Sequence, residues 1–215
     1  WPVAAYGRRP RAVLNMPFSE EIPTLTPVGI TRWKGEEWIT QRALDTANFT
    51  VEKDALTLCG NGLDLCDRKM QGLLLVRQQE RAFTAETALE IPAAGTAGLT
   101  CYYDEHSYLK FGIGPEGLLL EEYAGYEVVS RQTAPLPAST SHVRLRVTAA
   151  DGQRHFAIQD RTDWRTLWSI PEPHYLTSEG LQCGKRFTGA MVGLYVHGAS
   201  AVRFTDWSAV WSCPV

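Results

Sequence analysis

No apolar run in this 215-residue chain approaches the ~18 residues that a membrane-spanning helix needs. Lysine and arginine form no run, and the net charge is only -3, so neither a nucleic-acid face nor an anionic-membrane anchor is expected. The N-terminus has no basic segment followed by an apolar one, so it does not read as a secretory leader. Its start at Trp1 rather than Met reads as a cut from a longer chain. Cysteine is sparse and odd in number. Cys59, Cys66, Cys101, Cys183 and Cys213 make no CxxC pair and no metal-type cluster with histidine, so no metal or cofactor is expected. At least one thiol stays unpaired unless it bonds another chain. The simplest setting is a reducing, cytoplasmic compartment with buried, inert thiols. Cys59 and Cys66 flank a short loop and could still close across it.

Catalytic signatures are also missing. The five histidines show no HExxH spacing, and no GxSxG elbow exists. Gly112 to Gly117 formally matches GxGxxG, but Pro115 and the following Leu118-Leu119-Leu120 point to a hairpin turn instead of the helix N-terminus that phosphate binding requires. Glycosidase chemistry needs two carboxyl groups roughly 5–10 Å apart. Glu86 and Glu90 share a strand face but are separated by ~13 Å of strand. Glu121 and Glu122 are adjacent and point to opposite faces. These acids read as solvated strand faces, and no catalytic residue is assigned to the chain.

The chain does carry period-two alternation nearly throughout. Phe83, Ala85, Thr87, Leu89 and Ile91 alternate with Thr84, Glu86, Ala88 and Glu90. Leu109, Phe111 and Ile113 form a second such set, Val143, Leu145 and Val147 a third, and Trp207, Ala209 and Trp211 a fourth. Asp151-Gly152 is a strong hairpin signal before Phe156 and Ile158. Turn residues recur at strand-sized intervals, which indicates an all-β sandwich or barrel. A short helix is expected only within Thr31 to Leu44, weakened by Gly35. Residues 1–29 differ: Pro2, Pro10, Pro17, Pro23 and Pro27 mark a Pro-rich linker or arm ahead of a single domain over 30–215. Seven tryptophans and eight tyrosines suit either a sandwich core or sugar stacking. Tyr102, Tyr103, Tyr108 and Trp164 are the candidate sugar-contacting aromatics; Tyr123, Tyr126 and Trp168 are their neighbours in sequence.

Several segments share an order and spacing with a known family. Phe187-Thr188-Gly189-Ala190-Met191-Val192-Gly193-Leu194, followed by Ala201 to Trp207, resembles the closing signature of the C-terminal β-sandwich of glycoside hydrolase family 43 β-xylosidases and α-L-arabinofuranosidases. Trp38, Asn48 to Val51, Leu56-Thr57-Leu58, Leu74 to Gln79, Ala97 to Glu105 and Trp164 are similar to further family segments, so the likeness spans most of 30–211. Met191 stands where the family usually has Phe, and Trp207 where it has Phe or Tyr.

The resemblance implies a two-sheet antiparallel sandwich of the concanavalin A-like, jelly-roll type. It implies a parent enzyme that removes xylose or arabinose with inversion, whose catalytic Asp, Asp and Glu lie on a β-propeller that has no counterpart here. In the family a loop before Thr-Gly reaches across to the propeller and its Phe helps close the substrate pocket. By motif match that residue is Phe187, with Arg186 and Lys185 beside it. Two functions compete: an ancillary domain packed on a propeller glycosidase, with an apolar docking face, or an autonomous module binding xylan or arabinoxylan oligosaccharides, with an exposed aromatic groove. A stand-alone sandwich enzyme is a third option. The expected partners are the propeller domain, xylo-oligosaccharide or a second copy of the chain.

Overall fold

The structure is a computed structural model, and it describes residues 30–40, 46–136, 141–184 and 189–212. The Pro-rich segment 1–29 lies outside the described residues. Among those described, fifteen antiparallel strands form two sheets. The first has eight strands. In spatial order they are β1 (Ile30–Trp33), β2 (Glu36–Ile39), β5 (Leu73–Arg77), β14 (Met191–His197), β7 (Thr96–Asp104), β8 (Ser107–Gly114), β9 (Gly117–Ala124) and β10 (Glu127–Ala134). The second has seven: β13 (Asp163–Pro171), β12 (Gln153–Asp160), β11 (His142–Ala150), β6 (Ala82–Glu90), β15 (Ala201–Ser212), β4 (Ala55–Cys59) and β3 (Phe49–Val51). Two single 3-10 turns, Thr46–Asn48 and His174–Leu176, are the helical elements among the described residues. The expected concanavalin A-like sandwich is the architecture observed.

Alternation explains why the sheets stack. Phe83, Ala85, Thr87 and Leu89 of β6 are buried, as are Val143, Leu145 and Val147 of β11. They face Leu99, Cys101, Leu109, Phe111 and Ile113 from the first sheet in one continuous core. Each fully buried Leu, Ile, Val or Phe contributes roughly 1.5–3 kcal/mol. In β15 the phase changes midway. Val202 and Phe204 point inward, then a bulge between Thr205 and Ser208, with Asp206 at φ 53°, hands the inward positions to Trp207, Ala209 and Trp211.

Two expectations need correction. The segment expected to be a short helix from Thr31 folds, over its described part, as the β1–β2 hairpin. Lys34 and Gly35 take φ 53° and 80° and form its two-residue turn, so period two wins over helical spacing. Its Trp38 is fully buried and donates its indole N–H to the Trp33 carbonyl at 3.0 Å. Cys59 and Cys66 do not pair; both are free thiols, as are Cys101 and Cys183.

β8 is buried on both faces, which alternation alone does not suggest. The reason is segment 60–72, the connection from β4 in one sheet to β5 in the other. Leu63, Leu65 and Met70 from it pack on Leu73, Leu75, Tyr102, Tyr108, Met191 and Tyr195, forming a second apolar cluster on the outer face of the first sheet.

Candidate functional site

The outer face of the first sheet is organised in rows that run across the strands. Register places Arg77 of β5, Met191 of β14, Tyr102 of β7, Tyr108 of β8, Tyr123 of β9 and Val128 of β10 side by side. Tyr102 and Tyr108 stack at 6.1 Å, and Tyr108 and Tyr123 at 4.7 Å with planes 8° apart. Burial, and then the charge of Asp64, push the Tyr108 hydroxyl far above the ordinary phenol range, so it stays protonated.

The next row is ionic. Lys110, 2% exposed, bonds Asp64 of the 60–72 crossover at 2.8 and 3.0 Å and Glu121 of β9 at 2.6 Å. Glu121, equally buried, accepts from Arg131 of β10: from Nε at 2.7 Å and also from Nη2. An ionic chain therefore runs Asp64–Lys110–Glu121–Arg131, from under the crossover to the edge of the sheet. Burial works against the Asp64 charge, but the Lys110 ammonium and its hydrogen bond hold that carboxyl below its usual range. His197 lies 3.6 Å from the same carboxylate.

The sequence-selected aromatics do not assemble into one platform. Tyr102 and Tyr108 are buried beneath the crossover. Tyr103 points the other way, into the inter-sheet core, with its hydroxyl 3.0 Å from the Ser178 hydroxyl. Trp164 lies in β13 of the other sheet, half-buried, with the Arg146 guanidinium 3.8 Å from its ring centroid and Arg144 at 5.8 Å. Those arginines also bridge Glu86, which explains that acid as structural. The ionic chain was missed because nothing in the local sequence shows that segment 60–72 folds across β8.

Phe187, Arg186 and Lys185 lie outside the described residues; their flanks do not. Gly184, at φ +94°, abuts Asp104 so closely that a Cβ there would stand 1.9 Å from its Oδ2. Asp104 also accepts the His106 backbone N–H at 2.9 Å. On the other side Gly189, at φ +74°, sits near Arg77 Nη1. Asp104 and Arg77 end β7 and β5 next to the aromatic row, so Gly184 and Gly189 both lie at that end of the first sheet.

A family model described as the beta-xylosidase C-terminal concanavalin A-like domain matches residues 34–207. The chain belongs to that family. No curated protein matches it in sequence. Among solved structures it is similar to the Bacteroides ovatus xyloglucan PUL protein GH43B, at 20% identity and a TM-score of 0.70, over 90% of this chain and 39% of that one. It is also similar to a xylan beta-1,4-xylosidase from Bacillus halodurans, at 20% identity and 0.71, over 89% and 38%. A functionally unknown protein from Saccharomyces cerevisiae matches at 18% identity and 0.56, over 82% of this chain and 96% of its own length. This chain thus spans about two-fifths of the first two relatives, and at these identities the likeness concerns the fold.

Proposed function

We propose that this sandwich is the ancillary domain of a family 43 glycoside hydrolase. It packs on a β-propeller catalytic domain and helps shape that domain's pocket. The observation that carries this reading is the family match over residues 34–207, in a chain that spans about two-fifths of relatives titled as family 43 proteins and a xylosidase. The hydrolysis belongs to the propeller. In support, two acids of the sheet faces hold structural ion pairs: the buried Glu121 with Lys110 and Arg131, and the partly buried Glu86 with Arg144 and Arg146. On this reading Phe187 closes the substrate pocket, and Arg186 and Lys185 stand at its rim. In support, Gly184 and Gly189, the described residues on either side of that motif, both take a positive φ that side-chain-bearing residues rarely adopt.

The test is reconstitution. A family 43 propeller domain supplied as a separate polypeptide should bind this chain and gain activity on aryl β-xylosides or aryl α-arabinosides. Phe187→Ala should lower that gain while leaving the thermal midpoint of this domain unchanged. A propeller that neither binds the chain nor responds to it removes the ancillary reading. Full gain with Phe187→Ala removes only the pocket role.

A further inference from the structure

We propose that the solvent end of the aromatic row, made by Tyr123, Val128 and Arg131, is a binding shelf for a pyranose ring of a short oligosaccharide. The site goes beyond the ancillary reading and does not depend on it, because every part of it belongs to this domain.

Three observations carry the proposal. The first is the ring wall. Tyr123 is the last of three tyrosines in a cross-strand row. Its plane is nearly parallel to that of Tyr108, and their 4.7 Å separation matches the ~4.8 Å spacing of neighbouring strands. One face of Tyr123 is therefore covered by Tyr108, and the other looks along the row toward β10. The residue opposite on β10 is Val128, which is 45% exposed. A valine reaches much less far from the sheet than a tyrosine. Tyr123 is half-exposed while Tyr102 and Tyr108 are buried, so its ring borders the lower, exposed Val128 position as a wall beside a floor. A flat C–H-rich sugar face fits such a wall.

The second is the donor beside it. Arg131 lies opposite Glu121, the same-face neighbour of Tyr123, so it stands about 7 Å along the strand from the wall. Its side chain is 60% exposed, yet its position is fixed from below. Two of its five N–H donors go to Glu121, and Glu121 is held by Lys110 and through it by Asp64. The other donors are left for ligand hydroxyls. A buried ion chain gives no clear gain in stability over apolar packing. Its consequence here is a guanidinium held in place at the sheet edge, and such preorganisation lowers the entropy cost of binding.

The third concerns what the edge disfavours. β10 is the outermost strand, but its pairing with β9 is broken by a bulge between Val128 and Ser130, where Val129 is the extra residue. Bulges at edges block addition of another strand. A small ligand on the face of the sheet is not hindered by it. Tyr126, two residues before Val128 in the β9–β10 turn, is 64% exposed, with its ring tilted 50° against that of His106 at 4.2 Å between centroids.

The test is calorimetric titration of the 215-residue chain alone with xylotetraose and, in parallel, with cellotetraose. Saturable binding of at least one is expected, and the pair tells a pentose preference from a general pyranose site. Tyr123→Ala and Arg131→Ala should each weaken it at least tenfold, about 1.4 kcal/mol. Val210→Ala, on an exposed position of the other sheet, should change nothing. Because Tyr123 stacks on Tyr108, Val128→Arg is the second variant: it sits on an exposed edge, fills the shelf and should abolish binding with the thermal midpoint intact. No binding of either sugar overturns the proposal. So does wild-type affinity in Val128→Arg, or loss of affinity in Trp164→Ala with retention in Tyr123→Ala. If Val128→Arg weakens a complex with a propeller domain and no sugar binds, the surface is a protein contact and the proposal is again overturned. None of these sugar results touches the ancillary reading, which stands or falls on the reconstitution experiment.

Discussion

The indole rings of Trp38 and Trp207 meet edge to face with their centroids 4.7 Å apart. One comes from the first hairpin described and the other from the last strand, and they belong to different sheets. The contact therefore ties the two ends of the described chain across the core, with the Trp33 ring 5.9 Å from that of Trp38.

Truncating either ring should be among the most damaging changes in the protein. Trp38→Ala and Trp207→Ala should each destabilise by about 3–5 kcal/mol. Chemical denaturation of the two single variants and the double variant should give a coupling of about 0.5–1.5 kcal/mol beyond simple burial. Strict additivity would mean that the two rings do not act as a pair.

The ionic chain makes a pH prediction. The carboxyl of Asp64 is held below its ordinary range in the folded protein. Protons then bind the unfolded chain more readily than the folded one. The stability from this group is complete above the unfolded value of about 3.9, and is lost as pH falls through the lower, folded value. Denaturant midpoints measured from pH 6 down to pH 2 should fall in acid, and Asp64→Asn should flatten part of that fall. A variant whose acid limb superimposes on the wild type would contradict the assignment.

Lys110 offers a sharper test of the same chain. Lys110→Ala leaves Glu121 buried without one of its two cations, although Arg131 remains. Breaking a buried pair in this way costs about 3–5 kcal/mol, and the remaining arginine should hold the loss toward the lower figure. Lys110→Ala combined with Glu121→Leu should recover part of the loss in a thermal melt.

The thiols should separate by reactivity. Cys66 is exposed, whereas Cys101 is buried and its pKa is raised by desolvation despite the nearby Arg154 charge. Timed alkylation followed by mass spectrometry should label Cys66 in the native protein and Cys101 only after denaturant is added. Rapid native labelling at Cys101 would mean that this part of the core opens.

The purified chain should release no product from aryl β-xylosides or aryl α-arabinosides on its own. Turnover that persists after repeated purification, and follows the protein through each column, would place catalytic chemistry in the sandwich.

Much of the architecture was legible in the amino-acid sequence because strand alternation is a local property. Phe83 to Leu89, Val143 to Val147 and Leu109 to Ile113 each state which side faces the core, and Asp151-Gly152 takes the positive φ pair its hairpin needs. The short helix expected from Thr31 failed for an equally local reason: Lys34-Gly35 is also a two-residue turn, and a buried Trp38 one strand away from Trp33 favours the hairpin. The surface chemistry was not legible in this way. Whether Tyr102, Tyr108 and Lys110 face water depends on where segment 60–72 lies, and whether Tyr123 and Arg131 stand together depends on the register of β9 against β10. The sequence by itself determined which residues could pair into strands and which of their faces is apolar. Only the tertiary structure decided which outer face is covered, which tyrosine is left at the edge and which arginine is held beside it, because those depend on contacts between residues far apart in the chain.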